Sequence, residues 1–229
     1  MVLYKRLLFV FLLAISLDNS ALAQSKEFGG GLASFNYTGD LNRQYNFANQ
    51  TLGGYVNYAK NFQNGWAAKL MLAAGKIKGA DQGDTPFSAV RSASFNNFLT
   101  EFSFQAQYEF LDFRTSPLVE FSPYIGVGAG FLLMNRADKI TDYSDIQLMI
   151  PLSVGIKYRL NPLWSIHAEF SARKTFYDYL DNISEEEITD KRNSNYQFGN
   201  WNDTDWYYLV SVGLNYTFWQ VDCPVPLSK

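Results

Sequence analysis

Beyond residue 24, apolar and polar residues alternate with a period of two over long stretches. In DIQLMIPLSVGIKYRL (145–160), Ile146, Leu148, Ile150, Leu152, Val154, Ile156, Tyr158 and Leu160 form one edge. Gln147, Ser153, Gly155, Lys157 and Arg159 form the other. The pattern returns in NNFLTEFSFQAQYEF (96–110), PLWSIHAEFSARK (162–174) and DWYYLVSVGLNYTF (205–218), and more weakly at about 27–37, 51–61, 66–78 and 122–135. Period two predicts strands with two unlike faces, and the count is eight. In 122–135 the facing reads either way; Gly126, Gly128 and Gly130 are placed inward, because a narrow lumen needs small residues opposite large ones.

The connections alternate in length. Asn64-Gly65 and Asn161-Pro162 mark tight turns, and 111–121 is a modest link. The stretches 38–50, 79–95, 136–145 and 178–204 are long and polar. Aromatics gather at both strand ends. Phe62, Trp66, Tyr108, Phe110, Tyr158, Trp164, Tyr216, Phe218 and Trp219 fall toward the short turns, and Phe95, Phe98, Phe131, Phe176, Tyr177, Trp206 and Tyr208 toward the long loops. Short turns, long loops and two aromatic girdles predict an eight-stranded antiparallel transmembrane β-barrel of the bacterial outer membrane. Both termini and the short turns are then periplasmic and the long loops extracellular. A soluble barrel would carry the same alternation inside out. Strand length, the two girdles and the loop asymmetry favour the membrane form. So does the last strand, where Gly213, Tyr216 and Phe218 resemble the signal read by the barrel assembly machinery.

Composition adds compartment. Residues 1–23 carry Lys5 and Arg6, an apolar core from Leu7 to Leu17, then Ala21-Leu22-Ala23, the order of a secretory signal peptide. The barrel follows over 24–219, with a tail at 220–229. One cysteine, Cys223, allows no internal disulfide. A net charge of −3 with no basic patch gives no reason to expect nucleic acid.

The facing assignment points Glu27, Lys69, Glu101, Glu109, Lys157, Arg159, Glu169 and Arg173 into the lumen. An eight-stranded barrel is only wide enough for side chains to fill, and a buried unpaired charge is costly. A salt-bridged plug is therefore expected, with an ion or proton path as the sharper alternative. Enzyme chemistry has little support. The single histidine, His167, shares a face with Ser165 and Glu169, but residues two apart on a strand lie about 7 Å apart, too far for direct nucleophile activation. No cofactor is implied. The loop at 178–204 is acidic, yet lacks the spacing of a dedicated calcium loop.

Several stretches carry a family resemblance. EFGGGLASFNYTGDLN (27–42), AAGKIKGAD (73–81), VRSASFNNFLTEFSFQAQYEF (90–110), SPYIGVGAGF (122–131) and RKTFYDYLDNIS (173–184) are similar to PorG-type barrels. The resemblance implies an outer-membrane structural component of the type IX secretion system, which exports proteins and supports gliding motility. Its partners would be the periplasmic ring proteins of the PorK and PorN type, besides outer-membrane lipid. No catalytic or ligand residues come with it. On the turn side, Arg114, Leu118, Val119 and Glu120 form the candidate docking surface, together with the proline-bearing tail QVDCPVPLSK. The alternative is a surface barrel that binds an extracellular ligand or partner through its acidic loops.

Overall fold

The computed structural model describes residues 25–38, 49–62, 64–80, 94–111, 113, 116, 118–135, 146–176 and 206–219. Alternation builds eight strands: β1 (Ser25–Thr38), β2 (Thr51–Asn61), β3 (Trp66–Ala80), β4 (Ser94–Glu109), β5 (Phe121–Asn135), β6 (Ile146–Arg159), β7 (Trp164–Thr175) and β8 (Trp206–Trp219). Each pairs antiparallel with its sequence neighbour, and β8 closes on β1. Closure removes every open sheet edge, so the backbone donors and acceptors of the strands find partners within the sheet.

Register fixes the shape. A path across the ladders from Glu27 runs through Ala59, Lys69 and Gln105, continues to Arg173 and Tyr207, and re-enters β1 at Tyr37, ten residues along. With eight strands this stagger tilts them by roughly 40° to the barrel axis. The β5–β6 ladder skips Gly128 and Ala129, opposite Ile150 and Pro151, where the proline has no N–H to give.

The turns follow from local chemistry. Asn64 (φ 59°) and Gly65 (φ 80°) both take left-handed backbone, as a two-residue hairpin of this hand demands. At the β6–β7 turn, the Asn161 side-chain oxygen accepts from the N–H groups of Leu163 and Trp164, each at 2.9 Å. Glycines admit large inward rings. A Cβ on Gly53 or Gly75 would collide with the Phe35 ring, which occupies the space those two residues leave.

The outward face is apolar from girdle to girdle, with Leu72, Phe102, Phe104, Val127, Leu152, Val154, Ile156 and Val212 all exposed. On the turn side, rings touch around the barrel: Trp66 with Tyr108 (5.2 Å), Tyr108 with Phe110 (5.3 Å), Trp164 with Tyr216 (5.1 Å) and Tyr216 with Phe218 (4.7 Å). On the loop side, Tyr208 stacks on Phe170 at 5.6 Å. One girdle assignment changes. Phe95 lies on the inward parity of β4 and meets Tyr37 edge-on at 5.0 Å, because β4 starts at Ser94 and carries the alternation past Phe98. Gly126, Gly128 and Gly130 lie on the inward parity, opposite Gln107, Gln105 and Ser103. Tyr177, residues 1–23 and the tail 220–229 lie outside the described residues.

Candidate functional site: the lumen and its turn-side mouth

The inward charges stack in three storeys, and pairing across the bore brings together strands far apart in sequence. Nearest the turns, Lys157 on β6 bridges Glu27 on β1 (2.9 Å) and Glu109 on β4 (2.8 Å). Asn61 donates to Glu27 at 2.6 Å and to the Ser25 hydroxyl at 3.0 Å. In the middle, Lys69 on β3 meets Glu169 on β7 at 2.6 Å, and Glu169 also accepts from the Tyr124 hydroxyl at 2.7 Å. Gly155 makes room for Tyr124, since a Cβ there would overlap the tyrosine ring. Higher still, Arg173 on β7 forks onto Glu101 on β4, with Nε at 2.9 Å from Oε2 and an NH2 at 2.8 Å from Oε1. Tyr207 adds a hydroxyl to the same carboxylate at 2.7 Å. Each pair is buried, so it persists only because both charges and most lone pairs are met.

Arg159 behaves differently from the other inward cations. It sits at the end of β6, and its guanidinium reaches over the mouth to the carbonyls of Phe113 (2.6 Å), Ser116 (3.0 Å) and Val119 (2.8 Å). Its own backbone N–H donates to the Glu120 carbonyl at 2.7 Å. The residue thus holds the β4–β5 connection against the barrel. That clamp tucks Phe113 inward, where it is 4 % exposed. A cavity of about 70 Å³ remains beside it, lined by Glu27, Arg159, Trp164, Ser165 and Thr217 among others.

Toward the long loops the lumen turns apolar. Phe35, Tyr37, Met71, Ile77, Leu99, Leu132, Met134, Met149 and Leu209 pack into one buried cluster. The inward charges predict a polar plug, although alternation also sets Leu99 and Tyr207 on the inward edges beside Glu101 and Ser211. The runs that supply this cluster, such as Phe131-Leu132-Leu133-Met134, are apolar on both faces and give no contrast. Tyr55, Tyr124 and Phe113 go unmarked by charge in the sequence as well. The two tyrosines are marked by their inward parity alone. Phe113 sits in a loop with no periodicity to mark it.

His167 shares a 2.6 Å hydrogen bond between its Nε2 and the Tyr55 hydroxyl, ring edge to ring face at 5.7 Å. Its partner is therefore a tyrosine on β2, not Ser165 or Glu169 of its own strand. Of the docking residues, Leu118 is 92 % exposed and Val119 half-buried. Glu120 accepts a 3.0 Å hydrogen bond from the Tyr158 hydroxyl. Arg114 lies outside the described residues, as does the acidic loop. Gly213 faces inward beneath the Tyr55 hydroxyl, while Tyr216 and Phe218 face outward in the turn-side girdle.

Among the described residues, three charged storeys and an apolar cluster occupy the bore. Barrels reconstituted in planar bilayers are expected to show no stable, uniform single-channel steps. Recurrent unitary openings would mean that the lumenal pairs separate in the membrane.

Solved structures share this architecture. Neisserial surface protein A aligns with a TM-score of 0.52 at 10% identity, over 85% of this chain and 97% of that one. OprG of Pseudomonas aeruginosa gives 0.52 at 12% identity, over 86% and 96%. Ail of Yersinia pestis gives 0.49 at 14% identity, over 86% and 100%. At such identities the first two likenesses speak for the fold, which is that of small outer-membrane barrels. No curated protein sequence matches the chain. A family model described as a domain of unknown function, DUF6089, matches residues 5–226, nearly the whole length, and the chain belongs to the DUF6089 family.

Proposed function

We propose that the chain is an outer-membrane barrel that works as a structural part of a PorG-like, type IX secretion machine, holding periplasmic ring proteins at its turn-side end. An apolar exterior between two aromatic girdles supports the membrane placement. A filled lumen makes the ends of the barrel, and not its bore, the working surface. The carrying observation is Leu118. An apolar side chain 92 % exposed stands on a link whose backbone Arg159 fixes at three carbonyls. An apolar residue presented on a fixed backbone, with Glu120 beside it, has the character of an interface anchor within a polar rim. The sequence resemblance to PorG-type barrels supplies the identity of the partner.

The test is a point substitution. Excising residues 113–120 would also remove Phe113 and the acceptors of Arg159, and so disturb the mouth itself. Leu118→Asp leaves the clamp in place. It is expected to cut co-purification of the ring proteins from solubilised outer membranes by roughly tenfold or more, the usual effect of losing an apolar anchor. Heat-modifiable gel mobility should stay that of a folded barrel. If Leu118→Asp retains the ring proteins in full while trimming residues 184–195 releases them, the extracellular-loop reading replaces this one.

A further inference from the structure

The walls of the cavity at the turn-side mouth include Glu27 on β1, Arg159 at the end of β6, Ser165 on β7, Thr217 on β8 and Phe113 of the β4–β5 link. Register sets Thr217 opposite Glu27 and Ser165 opposite Arg159, so closure of the barrel brings them to one place. Both charges in this wall are already engaged. Glu27 accepts from Lys157 at 2.9 Å and from Asn61 at 2.6 Å, and Arg159 donates to three carbonyls of the link. The hydroxyls are not. Ser165 is 5 % exposed and Thr217 half-buried, and neither side-chain oxygen meets a hydrogen-bond partner among the described residues. A hydroxyl withdrawn from bulk water without a partner is costly, and a guest that hydrogen-bonds to it removes that cost. Charge selects the guest. An ion would be desolvated beside charges that are already paired, whereas an uncharged group that donates and accepts matches hydroxyls that do the same. Size selects as well. A water needs about 10–15 Å³ of such space, so a cavity of about 70 Å³ takes about five non-hydrogen atoms. That suits a carboxamide with its methylenes and is too little for a sugar ring.

We infer that this cavity is a socket for an asparagine or glutamine side chain of the protein that docks at the turn-side end, with Ser165 and Thr217 as its hydrogen-bonding groups. Phe113, one wall of the socket, belongs to the same Arg159-clamped link that presents Leu118. One clamp therefore holds both the apolar anchor and the polar socket, and a single protein surface can engage the two together. The polypeptide origin of the guest rests on the partner reading above.

Three probes of nearly equal size separate the chemistry: propionamide, propionate and propylammonium. Each is titrated into the folded barrel in detergent micelles while the backbone amides of Ser165 and Thr217 are followed by NMR. Propionamide should shift both resonances along a saturating curve, and either ion should bind roughly tenfold or more weakly. Ser165→Ala/Thr217→Val keeps the shape of the wall and should weaken propionamide roughly tenfold, with resonances away from the mouth unchanged. The same double variant should lower recovery of the ring proteins in co-purification. Leu118→Asp should lower that recovery too, yet leave propionamide binding intact. Full recovery with Leu118→Asp would overturn the partner reading, while propionamide binding lost only in the hydroxyl variant would still uphold the socket. Absence of saturable propionamide binding, equal binding of either ion, or full ring-protein recovery with the hydroxyl variant would overturn the socket itself. So would saturation by N-acetylglucosamine at the concentration where propionamide saturates, which would mark an acetamido-sugar site.

Discussion

Replacing Glu101 with alanine is expected to destabilise the barrel by about 3–5 kcal/mol, the largest effect of any single lumenal substitution. Glu101 and Arg173 are both fully buried, at 0 % side-chain exposure. The carboxylate takes the guanidinium in a fork and the Tyr207 hydroxyl besides. Its removal strands an arginine left with the Ser171 carbonyl at 3.3 Å, the Met71 sulfur at 3.9 Å and the Tyr207 ring at 5.9 Å, none of them a counter-charge. Apolar residues of the loop-side cluster surround the gap, so water enters only by breaking packing. Most of the cost is therefore the unpaired charge, not the lost attraction. The double variant Glu101→Leu/Arg173→Met removes both charges and should return to within about 1 kcal/mol of wild type, or exceed it. Equilibrium unfolding in lipid vesicles measures all three proteins. If the single and double variants lose the same stability, the pair is not a closed, dry contact.

Strands and facings were legible because a sheet with lipid on one side and a filled bore on the other imposes period two on every residue between the girdles. Val154 and Ser153, or Phe104 and Gln105, announce their faces by chemistry alone. Legibility stops where both faces become apolar. Leu132 and Leu209 point inward next to outward Leu133 and Val210, so no alternation remains to separate lumen from lipid. Phe95 is ambiguous for the same reason, since an aromatic near a strand end suits either side.

The charges were legible as a set and illegible as pairs. Lys69 and Glu169 meet although they are 100 residues apart, and only the ten-residue stagger of the closed barrel decides that β3 faces β7 at that height. Arg159 shows the opposite limit. Its parity is lumenal, but at a strand terminus a long side chain can leave the bore. The carbonyls that hold it belong to a loop with no periodic signal. The β4–β5 link is thus legible as a segment, while Arg159, which holds it, reads as lumenal.

Val154→Lys should cost about 2–4 kcal/mol, because it places an ammonium in hydrocarbon near the bilayer midplane. Val154 is 53 % exposed and sits between Ile125 on β5 and Phe170 on β7, well inside both girdles. No inward route is open to the new side chain, since its strand neighbours Ser153 and Gly155 already face the packed lumen. The side chain must snorkel along an apolar wall, and the barrel tilts or thins the bilayer to meet it. Depth is the discriminating variable. Phe62→Lys puts the same charge in the turn-side girdle, near Lys60, and should cost only about 0–1 kcal/mol. Ser153→Ala, one residue from Val154 but on the other face, removes a 3.2 Å hydrogen bond to Gln105 and should cost about 0.5–1.5 kcal/mol. Urea titrations in phosphatidylcholine vesicles rank the three. A Val154→Lys barrel as stable as Phe62→Lys would mean that this face does not meet hydrocarbon, and the membrane reading would fall with it.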